Sequence, residues 1–509
     1  MNEATFTSCE ACKDDPDGKL PWKIRAKEVV HDEEEKSIKF KNAWLSVYDV
    51  PVLYTPYFSH PDGTQTRKSG FLTPSAGYSS DLGAYAENHY YWSIAPDRDL
   101  TVGVRAMTQA APLALTEYRQ RWDQTSLVFN TGTTYSARPE EQNGQDIVIK
   151  DELRGHIFGE VRTDINDLWR AGLDVEAISD DQYGRQYDIT SEDVLENRLY
   201  AERFENRNYA LAQMQLFQDV RVSDLEGDQP AVLPEFSANF IGDPNSVPLI
   251  KGRWDANFSM LNLFRDGNEQ DMSRFSTDLG WKRRLVSDYG LVSDINANVS
   301  GDVYYVSDRN ESDIWTTSED GNSKETRLLP QLHMVSSYPM VKQLETVQWR
   351  VEPLAAVTIA PTAGDNDDIP NEDSQNVQID ASNLFSANRF PGQDKVEDAS
   401  RVTYGVRTGF TGERNTGGEV FLGQSYRLDK DNNPFLNGSG LNKQASDVVG
   451  YIKGNYEDYT LQYRFQLDNE NLNPERHELD ASADWNRLRL NANYLYAQAL
   501  DGTEVDETR

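Results

Sequence analysis

Cysteine is nearly missing from this chain: its 509 residues hold two, Cys9 and Cys12. No network of disulfides can brace it. As a zinc half-site the pair lacks a second pair or nearby histidines, and as a redox motif it lacks a βαβ setting. Histidine is scarce too. His31, His60, His89, His156, His333 and His477 are scattered, and no Ser/His/Asp spacing or metal motif emerges. The reading is a protein that is not an enzyme and uses no metal or cofactor. Basic residues are outnumbered 84 to 50, a formal charge of -34, which argues against nucleic acid as a partner. No apolar run approaches the roughly 20 residues that a membrane helix needs. Met1 is followed by no basic and then apolar leader. An exported protein would need one, so for such a protein Met1 is not the natural start.

Aromatic residues are abundant. Only 38% of residues are hydrophobic and mean hydropathy is -0.70, yet there are 25 Tyr, 19 Phe and 10 Trp. That is too many for a solvated coil. It fits a transmembrane β-barrel, where every second residue faces lipid and aromatic girdles mark the interfaces. Alternation is the organising signal. Tyr459, Leu461, Tyr463, Phe465 and Leu467 fall on one face of a strand, and Thr460, Gln462, Arg464, Gln466 and Asp468 on the other. The same holds for Trp169 to Ala177, Glu419 to Leu428 and Arg487 to Tyr496. From Ser69 onward about 21 such segments of roughly 9–13 residues follow, near the length of a tilted membrane strand. Short turns such as Ala95 to Asp99, Thr163 to Asp167 and Asn455 to Tyr459 alternate with long polar loops, Arg138 to Lys150, Ser307 to Glu325 and Pro361 to Asp398. A soluble sandwich would share the alternation. The number and evenness of the strands favour one large closed sheet, which leaves no open edge.

Before Ser69 the texture is denser in charge, with Lys and Arg beside the acidic run Asp32 to Glu35. Residues 1–60 are expected to belong to a separate, water-facing β-domain, with a boundary near Pro61 and the barrel over 61–509. Pro56, Pro61 and Pro74 crowd this junction. A proline gives no N–H to a neighbouring strand, so these belong at an edge.

Specific patches carry a resemblance. "PVLYTPYFSHP" holds Pro51, Tyr54, Pro56 and Tyr57, and "SGFLTP" opens on Ser69, Gly70 and Phe71. "YYWSIAPDRD" (Tyr90 to Asp99), "NRFPGQDKVEDASRVTYGVRTG" (Asn388 to Gly409) and the late "YTLQYRFQLD" region add to it. The chain resembles the LptD family of outer-membrane LPS-assembly proteins, also called organic solvent tolerance proteins. The resemblance implies a periplasmic β-jellyroll (OstA-like), of which residues 1–60 are the C-terminal part. It also implies a barrel of about 26 strands, here short at its C-terminal end, so the chain is expected to be a fragment at both ends. The implied activity is insertion of lipopolysaccharide into the outer leaflet of a Gram-negative outer membrane, through a lateral gate between first and last strands. The implied partners are an LptE-like plug lipoprotein and an LptA-like periplasmic bridge. Pro61 and Pro74 align with the family's gate prolines. Cys9 resembles the family's jellyroll cysteine, whose disulfide partner lies in the C-terminal part of the barrel. Cys12 departs from that pattern, so a local Cys9–Cys12 bond or an exchange role stays open.

The acidic stretch Gly364 to Gln375 has oxygen ligands for Ca²⁺ or Mg²⁺ but lacks EF-hand spacing. It is expected to be a solvated extracellular loop, as is Leu428 to Pro434. The alternative to the translocon is another large outer-membrane barrel, a porin or an uptake transporter.

Overall fold

The computed structural model describes residues 2–6, 22–47, 50–64, 67–142, 145–221, 229–266, 270–307, 322–361, 369–429, 433–485, 488–498 and 504–508. Cys9 and Cys12 lie outside them. Strands form two sheets.

The first is a four-stranded sheet built in chain order from Asn2–Phe6, Trp22–Asp32, Ser37–Val47 and Val50–Pro61. Ala26, Phe40 and Ala43 are its buried apolar side chains. The Phe40 ring meets those of Phe58 and His60, with centroids 5.8 and 5.4 Å away. The turn after Asp32 closes because its carboxylate accepts the Glu35 N–H at 3.0 Å and Lys36 takes φ 47°. Among the described residues Val50–Pro61 pairs with Ser37–Val47 alone, so its three prolines sit on an edge strand, where a missing donor costs least.

The second sheet is a meander of 24 strands from Gly70–Phe71 to Glu504–Thr508, with the strand order of a closed barrel. Two of the 24 continue a neighbour across a break. Gly70–Phe71 and Ser75–Ser79 both pair with Gly83–Ala95, and Ser323–Ser337 and Met340–Gln343 both pair with Gln348–Ile359. That leaves 22 strand positions, against about 21 expected from alternation. The fold is an all-β antiparallel barrel with an apolar outer face. Phe275, Leu279, Val303, Tyr305, Leu328 and Leu332 are exposed. On the same three strands Arg274, Ser276, Asp302, Tyr304, Arg327 and Gln331 are buried. A soluble protein would reverse these two sets.

The chain folds as two compact units. One comprises Met1–Asp164, Gly172–Asn197 and Gln218–Glu226, the other Ile165–Ala171, Arg198–Phe217 and Gly227–Arg509. Two sequence expectations need correction. Arg138 to Lys150 is not a loop. Strands Thr125–Gln142 and Gln145–Asp164 pair right through it, with Arg138 opposite Ile149 and Gln142 opposite Gln145. The β-branched run Ile147, Val148, Ile149 keeps that stretch extended despite its charge. The described residues of Pro361 to Asp398 form a loop without strands, as expected, but one that is only partly solvated. Ser374, Ile379, Leu384, Arg389, Phe390, Asp394 and Glu397 are buried there, while in the described part of the acidic stretch, 369–375, Asn371 and Gln375 are exposed.

Candidate functional site

The first barrel strand is broken at a proline. Phe71 stands opposite Tyr90 and Ser75 opposite Glu87. Three residues, Leu72, Thr73 and Pro74, thus face two, Asn88 and His89, which makes a one-residue bulge. The Leu72 N–H still reaches His89 O at 2.8 Å. Pro74 has none to give. Ser69 Oγ holds the entrance by accepting the Ser93 N–H at 2.9 Å. Phe71 is 78% exposed and meets Tyr90 edge-on at 5.2 Å. Pro61 ends the edge strand of the other sheet, opposite Ser37. The structure therefore places Pro61 at the end of the first sheet and Pro74 in the break between two strands of the second. Beside Pro61, the Thr64 hydroxyl and then His31 hold the Asp62 carboxyl down to about 2. Of the other motif residues, Pro51, Tyr54, Pro56 and Tyr57 all lie on the edge strand, with Tyr54 and Tyr57 exposed.

Behind the bulge is a cavity of about 630 Å³ lined by Leu72 and His89 together with Arg67, Lys68 and Arg119. Arg67 and Arg119 share the buried Asp99 carboxylate. Arg67 also donates to Tyr91 Oη at 2.9 Å and Pro96 O at 2.6 Å. The cavity wall thus carries three cationic side chains and one carboxylate, Glu117, which pairs with Arg119.

Each unit also folds a loop onto its polar strand face. In the first unit, the segment between Trp169–Ile178 and Val194–Glu205 carries the one-turn helix Tyr183–Gln186. Arg154, with its side chain fully buried, grips Asp180 through Nε at 2.9 Å and Nη2 at 2.7 Å, and donates to Gln186 Oε1 at 2.8 Å. Burial works against the Asp180 charge. Arg154, Ser179 and the Tyr183 N–H outweigh it and hold the carboxyl below its ordinary value. Tyr183 and Tyr187 pack with Leu82, Leu113 and Leu195.

In the second unit the docked loop is 369–400. Arg274 Nη1 lies 2.7 Å from Asp373 Oδ2 and 2.6 Å from Asp394 Oδ1. The buried Asp394 also accepts the N–H groups of Glu372 and Asp373 at 2.7 and 3.0 Å, and Tyr304 Oη at 3.1 Å. Burial pushes Asp394 above the ordinary carboxylate value, against the pull of Arg274. In Asp373 the Gln393 N–H and Arg274 overcome burial, and its value falls. Arg327 caps Gln393 O and Asp394 O, each at 2.6 Å. Further along, Glu397 binds Arg389 at 2.6 Å and Arg401 at 3.2 Å, all three almost fully buried. Ile379, Leu384 and Phe390 join Phe421 and Val449, and Phe390 stacks on Phe435 at 4.8 Å. Gly423 makes the room, since a Cβ there would fall 2.5 Å from Leu384 Cδ2.

Sequence reasoning reached the bulge through its proline but missed this docked loop. A signal was present: Ile379, Leu384 and Phe390 recur within an otherwise polar loop. Among the described residues no group of three or more His, Cys, Asp or Glu could hold a metal ion.

The family model described as LptD, LPS transport system D, matches residues 152–508. The chain belongs to the LptD family. Among LptD relatives, the LPS-assembly protein LptD of Vibrio cholerae is 24% identical over 99% of this chain and 64% of its own length. That of Methylococcus capsulatus is 25% identical over 89% and 42%, and that of Pseudoalteromonas translucida 25% over 100% and 66%. The chain spans less than two thirds of the length of these LptD proteins, taking the first two, and about two thirds of the third. A bacterial polysaccharide outer membrane secretin, 9% identical over 74% of this chain and 93% of its own, aligns with a TM-score of 0.16, too low to carry an argument.

Proposed function

We propose that this chain is the barrel-bearing part of an LPS-assembly translocon in a Gram-negative outer membrane, and that lipopolysaccharide leaves it sideways beside the broken first strand. One observation carries the reading: the bulge at Leu72–Pro74, where three residues face two and a donor is missing. Each ladder bond not made forgoes roughly 0.5–1.5 kcal/mol of net stabilisation. The seam beside that strand is the cheapest place to part the sheet. Pro61, at the end of the edge strand, loosens the approach from the other sheet, and the two prolines together form the gate. The basic cavity behind the bulge suits the phosphorylated sugar head, while the apolar outer face is continuous with lipid for the acyl chains. No catalytic residue is needed.

In this reading residues 1–60 are the end of a periplasmic jellyroll fed by an LptA-like bridge, residues 61–509 are barrel, and an LptE-like lipoprotein plugs it. Cys9 and Cys12 are its disulfide candidates. The test is a photo-crosslinking amino acid at Leu72, Pro74 or Pro61 in the full-length protein within cells. Adducts with lipopolysaccharide are expected at the bulge. Adducts only at distant strands would move the exit elsewhere, and none anywhere would leave a porin or uptake transporter as the better reading.

A further inference from the structure

Short turns join the strands at one end of the second unit, Ser287 to Leu291 and Glu457 to Asp458 among them. Such turns mark the periplasmic side of an outer-membrane barrel. Residues 242–252, which link Ala231–Ile241 to Arg253–Phe264, lie at the same end and form a longer loop. That loop is held against the outer face. Trp254 and Trp281 stand opposite each other there, on the face of the exposed Phe275 and Leu279. Trp281 Nε1 donates to Lys251 O at 2.7 Å. Arg283, next along the same face, donates through Nη1 to Ile250 O at 2.6 Å. Two glycines make room for the indoles: a Cβ at Gly242 would collide with Trp254, and one at Gly252 would lie 2.7 Å from Trp281 Nε1.

What the loop holds out is apolar. Leu249 is 101% exposed and Ile250 50%. Leu249 and Lys251 take φ 66° and 54°, the left-handed region that residues with side chains seldom adopt. Strain of this kind persists where surrounding contacts over-determine it, and it clusters at sites that bind. The adjacent turn repeats the pattern with Tyr289, 86% exposed, and Leu291. These tips continue the apolar outer face past a pair of tryptophans, the residue type that settles at a membrane–water interface. The Lys251 ammonium and the remaining N–H groups of Arg283 have no partner among the described residues. Asp243 and Asp288 are exposed on the same two turns, so the positive charge is local to Lys251 and Arg283 rather than a general basic field. An apolar tip beside two cations is the pattern of a segment seated where headgroups meet acyl chains.

We infer that residues 248–251 and the adjacent turn form an anchor in the periplasmic leaflet. Leu249 and Ile250 lie among acyl chains, and Lys251 and Arg283 hold the phosphate of an anionic glycerophospholipid. The inference needs the barrel but not the gate proposed above. The test places a photo-crosslinking amino acid at Leu249 of the full-length protein in nanodiscs of equal parts phosphatidylglycerol and phosphatidylcholine, and identifies the adducts by mass spectrometry. A second probe at Ile250 covers the case that the left-handed backbone at Leu249 rejects the larger side chain. Phospholipid adducts are expected, enriched severalfold in phosphatidylglycerol. Lys251→Gln leaves the backbone bond to Trp281 in place and is expected to lower that enrichment. Adding Arg283→Gln, or raising the salt concentration, should bring the adducts to the input ratio. No lipid adduct at either position means tips that stay in water, and overturns the inference. Adducts already at the input ratio in the wild type overturn it too, since the cations then select nothing. In whole cells the same probes should again capture phospholipid. A protein adduct in its place would make this a protein-docking surface and refute the anchor.

Discussion

Removing Arg274 should undock the loop it holds. Its guanidinium is the shared counter-charge of Asp373 and Asp394, and its side chain and that of Asp394 are 6% and 0% exposed. Arg274→Ala leaves a buried carboxylate without compensation, a change that costs about 3–5 kcal/mol. Each 1.4 kcal/mol is a factor of ten, so the open form of 369–398 should gain on the order of 10²–10³-fold. Hydrogen exchange read by mass spectrometry on the full-length protein reports this directly, as faster exchange in peptides from that loop with strand peptides unchanged. Arg274→Met combined with Asp394→Asn removes the stranded charge while the amide oxygen still accepts the Glu372 and Asp373 N–H groups. It should recover much of the protection. The pH dependence has a definite sign. A docked carboxyl with a raised value opposes docking while ionised and stops opposing it once protonated. The Arg274→Ala defect should therefore shrink as the pH is lowered toward the acid range. Unchanged exchange in Arg274→Ala, or a double variant as open as the single one, would refute the reasoning.

Three further outcomes are expected. Gly423→Val should loosen the same loop by overpacking Leu384, at about 1–3 kcal/mol, seen as loop exchange with an intact ladder. Asp180 is held below its ordinary value, so its contribution to docking 179–193 is complete above about pH 4 and fades as pH falls through the lowered value; limited proteolysis of that segment against pH should follow this course, and Arg154→Met should abolish the pH step. Deleting Thr73 together with Pro74→Ala should turn the bulge into a continuous ladder, adding roughly 0.5–1.5 kcal/mol per new bond; lipopolysaccharide crosslinking at Leu72 should drop while barrel assembly on gels stays intact.

Period-two alternation made the barrel legible because lipid selects one face and leaves the other polar. Val420, Leu422 and Tyr426 are exposed while Ser425 and Arg427 are buried, as that alternation requires. Pro74 was legible as an edge signal because its missing N–H is a property of the residue itself. The docked loops were not legible for a related reason. A lumen wetted by water and a lumen filled by paired charges draw on the same residues. Arg274 reads identically in both cases, and what decides is a partner about a hundred residues away, Asp373 or Asp394. Arg138 to Lys150 was misread because charge density suggests a loop, whereas the backbones of two extended segments pair through its described residues.

A ring of more than sixteen strands ordinarily leaves an aqueous channel. Here the wall of the second unit is lined by a segment stapled in place with Arg274, Arg327, Arg401 and, through Ser425, Arg389. Buried as they are, such staples are screened little by salt, yet their carboxylates respond to acid in a way that a greasy stopper would not. The first sign of their failure would thus be local: a loosened segment beside strands that are still, by every measure, fully paired.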